Sequence, residues 1–132
     1  MRPVISHLRS RGFRSVQYLD DLLPFGSSYD DCLLNGHQTV DLLESLGFVV
    51  NRNKSVLTPT QRLTFLGFEF DSAALLMSLP DRKRESLRSL ILAGLSAKQL
   101  SIRQFAEVLG SLVAAAPAVP YGFLYTKRLA AF

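Results

Sequence analysis

Two adjacent carboxylates, Asp20 and Asp21, lie between two short apolar segments, residues 13–19 and 22–25. Both segments are rich in aromatic, β-branched and leucine residues, so the polar pair between them predicts a tight hairpin with both carboxylates at its tip. Pro24 cannot donate to a ladder, and we expect the return strand to be an edge strand or irregular there. Carboxylates on a rigid tip can hold divalent metal beside a phosphate substrate, although an Asp-Asp pair is also ordinary turn chemistry.

Helices are predicted on both sides of this hairpin. Residues 3–11 have apolar residues at helical spacing and are followed by Gly12, a residue type common just after a helix. Ser27 or Ser28 can cap a second helix over residues 28–46, which Gly47 would follow. Its apolar stripe is expected to consist of Cys32, Leu33, Gly36, Val40, Leu43 and Leu46.

Strands are predicted again after the second helix. Residues 48–50 favour a short strand, and residues 63–70 favour a longer one that is followed by a returning strand over residues 75–79. Gly67 lies inside the longer strand, where a glycine is typical of a bulge or of a close backbone approach. We therefore expect a second hairpin in this part of the chain.

From residue 80 onward the pattern is helical. Pro80-Asp81 is expected to begin one helix, the capping box of Ser101 and Gln104 a second, and residues 121–132 a short third. This order predicts an α+β lobe over residues 1–79 and a helical lobe over residues 80–132.

Composition limits the classes of protein that this sequence fits. Its 132 residues are 48% hydrophobic, which is enough for one core and excludes an intrinsically disordered chain. Residues 1–79 hold 7 Lys+Arg against 8 Asp+Glu, whereas residues 80–132 hold 8 against 3, so the basic charge is concentrated in the helical lobe. One cysteine, no secretory signal and no apolar run that spans a bilayer favour an intracellular protein, in cytoplasm or nucleus, without a membrane partner.

The residues around the carboxylates resemble a known family. Tyr18-Leu19-Asp20-Asp21 is similar to the YxDD motif of reverse transcriptases, and residues 16–26 resemble the same stretch of retrotransposon polymerases. Three further features occur in the family's order and at its spacing. They are a lysine segment at residues 46–55, a primer-grip-like hairpin at residues 65–68, and a thumb-like region that begins at Leu79-Pro80 and continues over residues 101–120, as in LTR-type, DIRS and gypsy-like elements.

This resemblance implies the C-terminal part of a polymerase palm, with antiparallel strands and packed helices, followed by a small helical thumb-like lobe. It implies two-metal nucleotidyl transfer, with Asp20 as a direct ligand of Mg²⁺ (or Mn²⁺) and Asp21 as a supporting one. Tyr18 is expected one strand step from Asp20 on the same face, near the primer end. Lys54 matches a lysine that can protonate the leaving pyrophosphate, although a solvated turn lysine is the alternative.

The expected partner is primer–template nucleic acid. The resemblance assigns Leu66 and Gly67 to the primer grip. The positive charges at the start of the first thumb-like helix are expected to meet duplex phosphates from the face opposite Leu87, Leu90 and Ile91. These nucleic-acid-binding residues are Arg82, Lys83, Arg84 and Arg88.

The sequence also departs from the family pattern. Only residues 1–17 precede the motif, and nothing in them replaces the family's upstream metal-binding aspartate or its fingers. We therefore expect weak metal binding, inactivity of the chain alone, and association with the missing upstream segment or with itself through an exposed strand. The alternatives are a nucleic-acid-binding module without catalysis and a protein-interaction remnant of a retroelement.

Overall fold

The structure, a computed structural model, describes residues 1–131. These residues form five α-helices, a 3₁₀ turn and two small antiparallel sheets, which confirms the predicted α+β class at that level. The chain divides into two compact units, Met1–Thr60 and Gln61–Phe132. The lobe boundary expected at residue 79 thus falls inside the second unit, because the three-stranded sheet groups with the C-terminal helices. None of the helices in residues 1–131 is long and apolar enough to cross a membrane.

Helices α1 (Arg2–Ser10) and α2 (Tyr29–Ser45) frame the first unit. Gly12 and Gly47 follow them with φ of +91° and +84°, and in each case the next amide donates to a carbonyl of the last helical turn. This is the Schellman arrangement that glycine permits. Ser28 caps α2, since its hydroxyl accepts a hydrogen bond from the Asp31 amide at 3.1 Å. The predicted helix over residues 28–46 is confirmed with its caps.

Between these helices, β1 (Arg14–Tyr18) and β2 (Asp21–Phe25) form the predicted hairpin. The antiparallel register runs from Arg14 opposite Phe25 to Tyr18 opposite Asp21. Hydrogen-bonded pairs alternate along such a ladder from the closing pair, so Pro24, opposite Ser15, falls at a non-hydrogen-bonded position. Its missing N–H costs the ladder nothing there, and β2 is an edge strand as expected.

The core of the first unit differs from the predicted apolar stripe. The buried residues of α2 are Asn35, Thr39 and Leu43, whereas Leu46 is 54% exposed. Two of the three are polar and hydrogen-bonded inside the fold, so hydrophobic periodicity does not register them. Ile5 and Leu8 of α1 complete the apolar part of this core.

The strand predicted over residues 48–50 is wrong. The Phe48 amide donates to the Leu43 carbonyl as part of the helix end, and Val49 is 97% exposed. Residues 52–54 then form a polar turn. The Phe48 N–H group is therefore used in the helix-ending hydrogen bond and is not available to pair with a neighbouring strand.

The sheet of the second unit has the order β3 (Arg62–Phe65), β4 (Phe68–Asp71) and β5 (Leu76–Ser78). The single strand predicted over residues 63–70 is wrong, because Phe65 and Phe68 pair across a two-residue turn. Leu66 and Gly67 form this turn with φ of +50° and +77°, the signs of a type I′ hairpin. Gly67 therefore reverses the chain and does not mark a bulge.

The helices of the second unit are α3 (Asp81–Ser96), α4 (Ile102–Ala115) and α5 (Gly122–Leu129), with a 3₁₀ turn at Ala116–Ala118. The predicted capping box at the start of α4 is present in both directions. The third helix was expected over residues 121–132, of which Phe132 lies outside the described residues. Burial is slight: α3 has no buried residue, and the buried positions of the other helices are Ala115, Ala116, Gly122 and Thr126.

Candidate functional site

The two carboxylates lie at the closed end of the β1–β2 hairpin. Asp20 is the second residue of the turn and Asp21 is the first residue of β2, and both are exposed. Tyr18 lies directly opposite Asp21, so their side chains share a face of the hairpin. The expectation that Tyr18 shares its face with Asp20 is corrected, because the turn takes up Leu19 and Asp20 before the strand resumes.

The turn itself has an unusual residue. Leu19 adopts φ of +51°, a region that costs an L-residue about 1–2 kcal/mol, and its side chain is 75% exposed. A two-residue hairpin turn needs positive φ at this position to match the twist of its strands. The Gln17 side chain supports the turn by donating to the Leu19 carbonyl at 3.0 Å. Strand twist thus holds Asp20 in the turn despite the strain at its neighbour.

The outward face of the hairpin is mainly apolar between Arg14 at its base and the carboxylate at its tip. Side chains alternate between faces, so Val16, Tyr18 and Phe25 lie on the same face as Asp21. Their exposed fractions are 47%, 55% and 43%. The opposite face holds Ser15, which is 4% exposed and lies toward the interior of the unit. The carboxylate tip therefore borders an exposed aromatic strip on which a base or an apolar side chain can lie.

Helix α2 holds the other end of the hairpin. The buried Asn35 amide donates to the Arg14 carbonyl at 2.7 Å and to the Phe25 carbonyl at 3.0 Å. At Gly26 a Cβ would lie 2.8 Å from the Asp31 carbonyl carbon, so only glycine lets the chain pass this close to the start of α2. Sequence reasoning missed Asn35. The signal that could have found it is a polar pair, four residues apart, on the helix face that follows the hairpin.

Lys54 lies in the exposed turn after α2. The Asn51 side chain organises this turn by accepting from the Lys54 amide at 3.2 Å. Arg52 joins it to the last turn of α2 through two hydrogen bonds to the Glu44 carboxylate, at 2.8 and 3.0 Å. Among the ion pairs of residues 1–131, none joins the Lys54 ammonium to Asp20 or Asp21. Ion pairing therefore does not connect Lys54 to the other two predicted catalytic residues.

The donor set at the tip suits a hard cation but is small. Mg²⁺ takes oxygen ligands, which Asp20 and Asp21 supply. In the part of the chain that the structure describes, no group of three or more His, Cys, Asp or Glu side chains could hold a metal ion. Weak binding of Mg²⁺ or Mn²⁺ by Asp20 and Asp21 therefore stays a prediction, in which water and substrate phosphate would supply the remaining ligands.

In the second unit the structure brings two predicted nucleic-acid-binding residues together. The Lys83 ammonium of α3 lies against Gly67, at the place where a Cβ would project. It also lies 5.8 Å from the centroid of the Phe68 ring, within the range of a cation–π contact. Lys83 thus connects the helix to the tip of the β3–β4 hairpin.

The four cations of α3 do not form one patch. Lys83, Leu87 and Leu90 follow each other at i, i+4 and i+7, and all three line a shallow groove against α4, so Lys83 lies on the apolar face. Arg84 lies about 100° around the helix axis from Lys83 and forms a salt bridge with Asp81. The expectation that all four cations face away from the apolar residues is therefore wrong for Lys83. It is also wrong for Arg84 and Arg88, which line a second groove together with Leu87 and Ile91. Arg82 lines neither groove, and both Arg82 and Arg88 are exposed.

Comparisons of the chain with protein-family models, with curated proteins and with solved structures found no significant match. The assignment of a function therefore depends on the motifs and on the geometry described above.

Proposed function

We propose that this chain is part of an RNA-directed DNA polymerase of retroelement origin, containing the YxDD hairpin of its palm and a thumb-like basic region. The observation that carries the proposal is the β1–β2 hairpin, whose tip carries Asp20 and Asp21 with Tyr18 opposite Asp21. A two-residue turn on a buried support is what a pair of carboxylates needs in order to meet a phosphate substrate in a fixed place.

The predicted site residues would have distinct roles in nucleotidyl transfer. Asp20 and Asp21 would hold Mg²⁺, which when bound supplies charge neutralisation at the substrate phosphates. Tyr18 offers an exposed ring beside Asp21 for the primer end. Arg82 and Arg88 attract the phosphate backbone from the exposed sides of α3, and Lys54 stays a proposed proton donor.

Metal binding by the carboxylates is the first measurement. Calorimetry with Mn²⁺ should give an affinity weaker than about 1 μM, because two carboxylates leave most of the coordination sphere to water. Asp20→Asn should abolish the binding heat. Asp30→Asn removes the same charge from an exposed carboxylate in the first turn of α2 and should leave the heat unchanged. Sub-micromolar affinity, or equal loss in both variants, would contradict the assignment.

Primer extension is the decisive test of the function. The chain alone should extend no primer with Mg²⁺ or Mn²⁺. Addition in trans of a fingers and upstream palm fragment from a related element should produce templated extension that Asp20→Ala abolishes and Asp30→Ala does not. Absence of extension in both arms would reject the polymerase proposal.

A second candidate is a protein-interaction role, which the exposed apolar surface favours. Besides the hairpin strip, Phe123, Leu124 and Tyr125 of α5 are 54%, 60% and 62% exposed, and exposed apolar surface of this kind is typical of interaction sites. Sedimentation across a hundredfold range of concentration separates the two candidates. Self-association that persists after Asp20→Asn and is lost after Tyr125→Ser would favour α5 as an interface with a second copy of this chain, and a monomer throughout would reject that interface.

A further inference from the structure

Asn35 is the most completely buried polar side chain of the first unit, with 1% of its surface exposed. Its Nδ2 atom donates to the carbonyls of Arg14 and Phe25, at 2.7 and 3.0 Å. Those two residues are the first of β1 and the last of β2, and they lie opposite each other. One side chain on α2 therefore bridges the open end of the hairpin, as the Leu19-Asp20 turn closes the other end.

The chemistry of this position calls for an amide. Two carbonyl acceptors need two N–H donors, which a single amide nitrogen supplies at once. The remaining oxygen, Oδ1, accepts from the Thr39 hydroxyl at 3.2 Å, which fixes the orientation of the amide. An aspartate would direct a carboxylate at two carbonyl oxygens, and a leucine would leave the ladder attached only by packing.

We infer that Asn35 is the positioning residue for the Asp20–Asp21 hairpin, with Thr39 holding its amide in register. The hairpin is only five pairs long, so fixing both carbonyls at its base fixes the direction in which its tip projects. This inference rests on the proposed function for what the two carboxylates do, whereas the attachment of the hairpin can be tested by itself.

The test uses the full chain, isotope-labelled for NMR, with two variants and a control. Asn35→Asp keeps the shape and replaces the two N–H donors by at most one O–H, and Thr39→Val removes only the hydroxyl that orients the amide. Leu43→Ala is the control, since Leu43 is buried on the same helix face one turn further along. The readouts are amide exchange at Val16 and Leu23, which are paired mid-hairpin, and the carbonyl ¹³C shifts of Arg14 and Phe25.

Asn35→Asp should raise exchange at Val16 and Leu23 by roughly tenfold or more relative to amides of α1, because the hairpin then opens without the rest of the unit. It should also move both carbonyl shifts. Thr39→Val should raise the same ratio by a few fold, and it serves as the deciding variant if Asn35→Asp does not fold. Leu43→Ala should raise exchange evenly. An unchanged hairpin-to-α1 ratio in Thr39→Val, together with no specific effect of Asn35→Asp, would overturn the inference.

A further arm separates this inference from the proposed function. In the original chain, Mn²⁺ should broaden the amide NMR signals of Asp20 and Asp21. In Thr39→Val, the broadening should affect fewer amides or different ones. If the original chain shows no broadening, the proposed metal site fails. The exchange ratio then still decides whether Asn35 positions the hairpin.

Discussion

The two hairpins of this chain share a local design and differ in what holds them. β1–β2 and β3–β4 are both antiparallel and both closed by two residues, of which the first is a leucine at φ of +51° in one and +50° in the other. Glycine or asparagine is the usual residue at such a position, so neither turn follows from local preference. Strain of this kind persists only where the surrounding structure determines it, and it is frequent at functional sites.

Their supports are of opposite kinds. The first hairpin is attached by the buried Asn35 amide, through uncharged hydrogen bonds that salt does not screen. The second is met at its tip by the ammonium of Lys83, an exposed contact with Phe68 worth about 0.5–1 kcal/mol. The carboxylate hairpin is therefore fixed at its open end by buried hydrogen bonds. The second hairpin is contacted at its tip by a weak cation–π interaction, and a polyanion can compete with it for the Lys83 ammonium.

The largest expected effect comes from the cores behind these hairpins. Leu8→Ala should destabilise the chain by about 2–5 kcal/mol, because Leu8 is 1% exposed and its loss leaves a cavity. Leu87→Ala, the same chemical change on half-buried α3, should cost about 1 kcal/mol. Urea unfolding followed by circular dichroism measures both. An equal loss of unfolding free energy in both variants would mean that the cores of the two units contribute equally to stability, contrary to this expectation.

Next in size is the effect of salt on nucleic-acid binding. Four free cations would give a log–log salt slope of roughly −3 to −4 with a primer–template duplex. Because Arg84 pairs with Asp81 and Lys83 contacts Phe68, we expect a slope of roughly −2, mainly from Arg82 and Arg88, and replacing all four by alanine should remove most of it. Single variants sharpen the expectation: Arg82→Ala should reduce the slope by about 0.9, whereas Lys83→Ala should reduce it less, since its ammonium is engaged with Phe68.

The matched control for this measurement is Lys127→Ala with Arg128→Ala, in the last turn of α5. It removes positive charge from the same unit and should leave the slope near that of the original chain. An equal fall of the slope in control and test variants would mean that binding follows net charge and not the α3 residues.

Much of the backbone could be predicted from local chemistry. Gly12 and Gly47 end helices, Ser101 and Gln104 form a capping box, and Asp20-Asp21 interrupts two strands, all as the sequence indicates. Each of these features depends on residues that are close in sequence, so the local order of residue types is enough to predict it.

The failures have a common physical cause, which is contact between residues distant in sequence. Hydrophobic periodicity cannot identify Asn35, because its burial depends on carbonyls 21 and 10 residues away. It places Lys83 on the solvent face because charge is counted as exposed, whereas the ammonium reaches Gly67. The residue pattern also places Leu66-Gly67 inside a strand, because leucine seldom occupies a left-handed turn position.

A smaller effect is expected from relieving the turns. Leu66→Asn should stabilise the chain by about 0.5–1 kcal/mol, since asparagine tolerates positive φ and Asn-Gly is the preferred type I′ pair. In the first hairpin only Leu19 has positive φ, the pattern of a type II′ turn, so Leu19→Gly should give a similar gain there. Thermal unfolding should show a rise of about 2–6 °C in each variant. Leu92→Asn, an equally drastic change at an exposed helical leucine, should give no gain. Loss of stability in both turn variants would mean that the leucines hold the hairpins through contacts of their side chains.

The smallest effect concerns the acid side of stability in the second sheet. The Ala74 amide, at 2.9 Å from Asp71 Oδ1, lowers the pKa of the Asp71 carboxyl below its ordinary 3.8, and Arg62 Nε adds to this at 2.6 Å from Oδ2. The folded chain thus binds this proton less readily than the unfolded one. The contribution of Asp71 to stability is therefore present above pH 3.8 and is lost as the pH falls below it. The stability difference between the original chain and Asp71→Asn should shrink as the pH falls from about 5 to about 2. Asp41→Asn is the charge-matched control, because Asp41 is an exposed residue of α2. A difference that stays constant over this range would show that the carboxylate is not held by these donors, and the second hairpin would then lose one of the contacts that define its sheet.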